Sequence, residues 1–207
     1  MKKINKTLII TDVQNDFMPG GPLAVLHGDS IIPIINQVLP KFDLIVATQD
    51  WHPQNHKSFA SNHPGKKPFD NIMLHGVEQI LWPNHCIQGT FGAELHPMLE
   101  IKPIEAIFRK GMNPEVDSYS VFYDNQHQIN TGLVDYLHGK GAKELYFCGL
   151  CADICVYFSI KDALHEGFKC YLIDDATMPL NQNSFKKIKA ELIHSGVTLL
   201  KSNDILP

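Results

Sequence analysis

Six short runs of consecutive apolar residues recur along the chain, at 7–12, 43–49, 105–110, 144–149, 169–174 and 197–200, each bounded by polar or turn residues. Runs of this length without alternation read as strands buried on both faces. Between most of them, at 30–39, 129–137, 153–166 and 183–194, apolar positions return with helical spacing. Strands alternating with helices predict an α/β domain built on a doubly wound parallel sheet. One stretch, 51–103, breaks the pattern. It holds six of the eleven histidines, both tryptophans and six of the thirteen prolines with little sustained periodicity. A long irregular excursion in a compact chain is functional or disordered, and its aromatic and cysteine content argues against disorder.

The length of 207 residues with 44% hydrophobic content supports one sizeable core, so 1–207 is expected to be a single domain with a loop excursion at 51–103. A formal charge of -4, with both signs interspersed and no Lys/Arg block, offers no footprint for a phosphate backbone or an anionic membrane, so neither nucleic acid nor a membrane is expected as a partner. The apolar run after the basic start is Leu8-Ile9-Ile10, interrupted at Asp12, too short for a signal-peptide core. Five cysteines, an odd number set largely in apolar sequence, fit a reduced, cytoplasmic protein.

In open parallel sheets, ligands bind beyond the carboxyl ends of the strands, where loops converge on one crevice. Asp12 ends the first predicted strand, Asp50 follows the second, Lys110 ends the third, and Cys155 lies just past the fourth. A helix beginning around residue 153 would put Cys155 in its first turn, where the helix dipole and a nearby cation lower a thiol pKa. Lys110 can be that cation and Asp12 the proton acceptor, an arrangement suited to acyl transfer through a covalent intermediate. Taken singly, a buried cysteine, a capping aspartate and a solvated lysine are ordinary. Their convergence on one sheet edge is what carries the reading.

A second constellation is Asp50-Trp51-His52. In extended chain, residues i and i+2 face the same side, so Asp50 and His52 can share one ion, completed by His85 from Trp82-Pro83-Asn84-His85-Cys86. One carboxylate and two imidazoles suit a single divalent ion, zinc first, with iron or manganese as alternatives, and leave positions open.

These segments, in order, resemble the motifs of the isochorismatase-like hydrolase superfamily and, within it, of the nicotinamidases. Asp12-Val13-Gln14-Asn15-Asp16-Phe17 is similar to the first motif, and Asp50-Trp51-His52-Pro53 with Trp82 to Cys86 to the metal motif. Arg109-Lys110-Gly111-Met112-Asn113-Pro114 with Asp117-Ser118-Tyr119-Ser120 resembles the lysine motif, and Gly149-Leu150-Cys151-Ala152-Asp153-Ile154-Cys155-Val156 the nucleophile motif. The resemblance implies a three-layer fold with a six-stranded parallel sheet, a triad of Asp12, Lys110 and Cys155, and a metal on Asp50, His52 and His85. His56, in the same loop, is not included in that set.

The activity implied is hydrolysis of nicotinamide to nicotinic acid and ammonia through a Cys155 thioester in NAD salvage, with pyrazinamide also accepted and a homo-oligomer among the open assembly states. Phe17, Trp82 and Tyr119 are candidate walls for the planar ring. The resemblance also implies a cis peptide between Leu150 and Cys151 that turns the Cys151 and Cys155 N–H groups toward an oxyanion, although Cys151 and Ala152 stand where the family usually carries Ala and Thr. Three rivals remain. An iron site for oxygen chemistry leaves the triad unexplained, an iron-sulfur cluster or structural zinc on Cys148, Cys151 and Cys155 lacks an evident fourth ligand, and a non-catalytic pyridine-binding sensor leaves an intact triad without a use.

Overall fold

The computed structural model describes residues 4–206. In chain order the strands are β1 (Lys6–Thr11), β2 (Leu44–Asp50), β3 (Asn71–Leu74), β4 (Val77–Ile80), β5 (Ala106–Lys110), β6 (Glu144–Gly149), β7 (Lys169–Thr177) and β8 (Thr198–Leu200). The helices are α1 (Ile32–Val38), α2 (Leu133–Lys140), α3 (Tyr157–His165) and α4 (Gln182–His194). Six strands form one sheet in the order β5, β2, β1, β6, β7, β8, every pair parallel. The fold is the expected six-stranded parallel sheet with flanking helices.

The unbroken apolar runs of the central strands β1, β2 and β6 are explained by burial on both faces, whereas the edge strands β5 and β8 are partly exposed. Leu8 and Ile10 of β1 point into one core with α1 residues Ile32 and Ile35, while Ile9 between them points into the other with Leu133 of α2, Ile160 of α3 and Phe185 of α4. Trp82 and Leu99, from the irregular excursion, belong to the α1-side core. The excursion is therefore packed structure, not a dangling loop.

Three boundaries differ from expectation. The helix expected from residue 129 begins at Leu133, because Asn130 accepts the Gly132 N–H (3.0 Å) and Gly132 takes a φ of +86°, a local turn that competes with helix. The helix expected from 153 is a π-helical turn, Ala152–Val156, before α3. Within the excursion, β3 and β4 pair as an antiparallel hairpin that its periodicity does not announce.

Candidate active site

The strand ends bring the candidate residues together. Asp12 lies one residue past β1 in a left-handed conformation (φ +48°), a geometry that a non-glycine residue keeps only when its surroundings hold it. Thr48 supplies part of that hold: its Oγ1 accepts the Asp12 N–H (3.2 Å) and donates to Asp12 Oδ1 (2.6 Å). Asp50 and Lys110 close adjacent strands in register. Gly149 ends β6 at φ +105°, where a Cβ would come within 2.0 Å of the Thr11 carbonyl oxygen. The chain then turns through a cis peptide between Leu150 and Cys151 into the π-helical turn that carries Cys155.

The Lys110 ammonium stands at the centre. It lies 3.0 Å from Asp12 Oδ2 and 3.5 Å from Cys155 Sγ, donates to the Ser118 carbonyl (3.0 Å), and contacts Asp50 Oδ1. Burial alone would lower its pKa, and the Asp12 and Asp50 carboxylates more than reverse that, so it stays charged. Burial would raise Asp50, but Lys110 and His52 hold it well below the usual carboxylate range. Asp12, completely buried, goes the other way: burial raises it and Lys110 offsets this only in part. Its Oδ2 has no aligned hydrogen-bond donor, which leaves that oxygen able to take a proton.

The thiol corrects one expectation. A helix start and a cation were expected to lower the Cys155 pKa. Cys155 is only 6% exposed, and its burial pushes the thiol well above its ordinary value despite Lys110. The resting group is a thiol, so a reaction there needs a base within reach. Asp12, Asp50 and Cys155 have acceptor atoms within 4.8 Å of one another, and Asp12 is the carboxylate whose proton affinity burial has raised.

Asp50, His52 and His85 converge beside this set, all buried. His52 Nδ1 lies 2.9 Å from the Gly111 carbonyl and His85 Nδ1 2.8 Å from the Pro83 carbonyl. A carbonyl can only accept, so each Nδ1 carries a proton, which leaves Nε2 as the nitrogen of each ring that can offer a lone pair to an ion. Those Nε2 atoms stand 3.6 and 3.7 Å from Asp50 Oδ2, close to the separation of donors sharing one ion at about 2.1 Å. Tautomers fixed by backbone carbonyls are the usual support of metal-binding imidazoles, and the donor set fits a divalent cation.

Both groups open on one cleft. Phe17, Trp82 and Tyr119 line it together with Cys151, Leu23 and Leu180. Trp82 and Tyr119 meet edge to face at 6.2 Å, and Phe17 tilts against His85 at 5.5 Å. Every candidate from the sequence is thus at the cleft, Asp12 lying just behind its wall. Sequence reasoning missed Thr48, which no motif marks, and the support given by Gln14 and Asp117, which the motifs contain. His56 is buried against the His52 ring at 4.5 Å. All five cysteines are free, and Cys148 donates to the Ile9 carbonyl within the sheet (3.7 Å), so it does not join Cys151 and Cys155 in a cluster. Among the described residues no helix is long and apolar enough to cross a membrane.

Comparison with known proteins agrees with this geometry. The model of the isochorismatase domain matches residues 6–204. The nicotinamidase of Acinetobacter baylyi is 48% identical over 208 residues, covering 100% of this chain and 97% of its own. Among solved structures, a nicotinamidase and pyrazinamidase of Acinetobacter baumannii superposes with a TM-score of 0.95 at 45% identity, over 100% of both chains. PnC1 from L. infantum, in complex with nicotinate, gives 0.86 at 39% identity over 98% of this chain and 96% of its own. The pyrazinamidase of Pyrococcus horikoshii, in complex with zinc, gives 0.78 at 36% over 95% and 98%. The chain therefore belongs to the isochorismatase family, in its nicotinamidase branch.

Proposed function

We propose that the protein is a metal-dependent nicotinamidase that hydrolyses nicotinamide to nicotinic acid and ammonia through a thioester on Cys155. The observation that carries the reading is the sharing of one small cleft by a thiol–carboxylate–ammonium set and a two-histidine, one-carboxylate set, with Lys110 in contact with both. Asp50, His52 and His85 would hold one divalent ion, zinc in first place. Such an ion would supply a Lewis-acid contact for the ring nitrogen of the substrate. Phe17, Trp82 and Tyr119 pack against the ring and exclude water.

Asp12 takes the Cys155 proton on Oδ2, and the sulfur attacks the carboxamide carbon. The carbonyl oxygen becomes an oxyanion held by the backbone N–H groups of Cys151 and Cys155, each such donor being worth about 3 kcal/mol. Protonated Asp12 then gives its proton to the departing nitrogen, the C–N bond breaks, and ammonia leaves a thioester behind. A water molecule attacks that thioester, Asp12 accepts its proton, and the C–S bond breaks. The sulfur recovers the proton from Asp12 as nicotinic acid leaves. Lys110 keeps the negative charge tolerable as it passes between sulfur and carboxylate. The nicotinic acid so released enters NAD salvage, and pyrazinamide, which presents the same carboxamide on a diazine ring, is the second substrate.

The test is ammonia release from nicotinamide, with and without a chelator, beside the Cys155→Ala and His85→Ala variants. Release that chelator and Cys155→Ala each suppress supports the proposal. Turnover retained in Cys155→Ala would sink the covalent route, and no release from the metal-loaded protein would move the substrate to another amide.

A further inference from the structure

The motif from Asp12 to Phe17 contributes its first and last residues to the chemistry, while the polar residues between them take no part in it. Gln14 and Asp16 instead face the metal-binding loops. The Gln14 side chain pairs with the main chain of Asp50, accepting its N–H and donating to its carbonyl (both 2.8 Å), and donates to the Ala93 carbonyl (2.8 Å). Asp16 Oδ2 accepts the N–H of Cys86 (2.7 Å). Cys86 follows His85 and is left-handed (φ +47°), an uphill conformation for a residue with a Cβ. Its carbonyl accepts the His52 N–H (3.0 Å), and the Gln88 N–H donates to the His52 carbonyl (2.9 Å).

Cys86 is therefore gripped from both sides, by Asp16 on its N–H and by His52 on its carbonyl. The carboxylate fills the space beside Gly92, where a Cβ would come within 2.2 Å of both its oxygens. We infer that Asp16 is a positioning residue that holds the His85–Cys86 turn in register with His52, and so sets the spacing of the two imidazole nitrogens from Asp50. This rests on the reading of Asp50, His52 and His85 as metal ligands. Without the acceptor, the Cys86 N–H loses its only side-chain partner among the described residues, the left-handed turn is free to relax, and the His85 ring swings with it.

The experiment is a cobalt(II) titration of the full chain, read by the visible absorbance of the bound ion in competition with a chelator. It is run on wild type, D16A, D16N, G92A and H85A, with circular dichroism and separate kcat and KM values at saturating metal. D16A and G92A are expected to weaken cobalt binding roughly 10- to 100-fold, as loss of a supporting partner does elsewhere. They raise KM more than they lower kcat, with unchanged circular dichroism. D16N, whose side-chain oxygen still accepts the Cys86 N–H, recovers most of the affinity. Wild-type affinity in both D16A and G92A overturns the inference, as does a loss in D16N equal to that in D16A. If D16A does not fold, D16N against G92A makes the same decision. Undiminished cobalt binding in H85A defeats the metal reading itself, and this inference with it. Loss in H85A beside wild-type affinity in D16A and G92A defeats only the positioning role.

Discussion

One ammonium serving two carboxylates and a thiol decides most of what the site does. Because Lys110 is buried with Asp12 and Asp50, Lys110→Met leaves two buried carboxylates uncompensated, and a loss of about 3–5 kcal/mol at neutral pH is expected from urea unfolding. The pH dependence distinguishes this from a packing defect. In the metal-free wild type, Asp50 is depressed, so its contribution is present above the ordinary carboxylate pKa and is lost as pH falls through the depressed value. In Lys110→Met the largest charge opposing burial is gone from both carboxylates, Asp12 keeping only the Thr48 hydrogen bond and Asp50 only His52 and His85 against it, and both rise. Their stabilising, protonated form is then present at low pH and lost as pH rises, so the variant should gain stability as pH falls from about 8 to about 5. A wild-type slope in that window would refute the account. Cys155→Ala removes the proposed nucleophile and leaves these charges in place, so kcat should drop on the order of a millionfold while divalent-metal binding persists.

The elements place these residues by where they stop. Gly111 follows β5 with φ +67°, and a Cβ there would meet the His52 ring at 2.3 Å. Gly111→Ala is expected to push that imidazole off the metal position and weaken zinc binding roughly 10- to 100-fold, with the sheet intact by circular dichroism. Wild-type zinc affinity in Gly111→Ala would show that His52 has room to spare. The strands were legible from sequence because a strand buried on both faces must be apolar at every position, as Leu8, Ile9 and Ile10 are. Their carboxyl ends, and with them Asp12, Asp50, Lys110 and Cys155, followed from the parallel topology. The hairpin β3–β4 was not legible because it has no such faces: Met73, Val77 and Ile80 are exposed and its buried residue is polar, Gln79, which donates to Asp117 (3.0 Å). Nor does spacing show a proton-affinity shift. The raised Cys155 thiol comes from the depth at which the turn sits, a property of the assembled core.

At the scale of the whole molecule, the metal loops belong to the core. Trp82 and Cys86 are buried in the same cluster as Leu8 and Ile10, so an ion bound only by the folded chain stabilises all of it by mass action. Zinc at a thousand times its dissociation constant should add about 4 kcal/mol, seen as a rise in the thermal midpoint that chelator reverses. His85→Ala should abolish that rise and Cys155→Ala preserve it. A midpoint indifferent to zinc in the wild type would mean that no ion is held there.

Among the described residues β5 is the outermost strand on its side of the sheet, paired with β2 alone, and it delivers Lys110. An edge strand with exposed residues such as Ile107 is among the cheapest parts of a sheet to detach locally. Fraying there would withdraw the Lys110 ammonium from Cys155, Asp12 and Asp50 at once, while the other five strands stay paired. On gentle heating, catalysis should therefore fail several degrees before the protein melts, and amide hydrogens of residues 106–110 should exchange ahead of those in β1. The enzyme would carry its own thermal fuse, set by the weakest seam of the sheet.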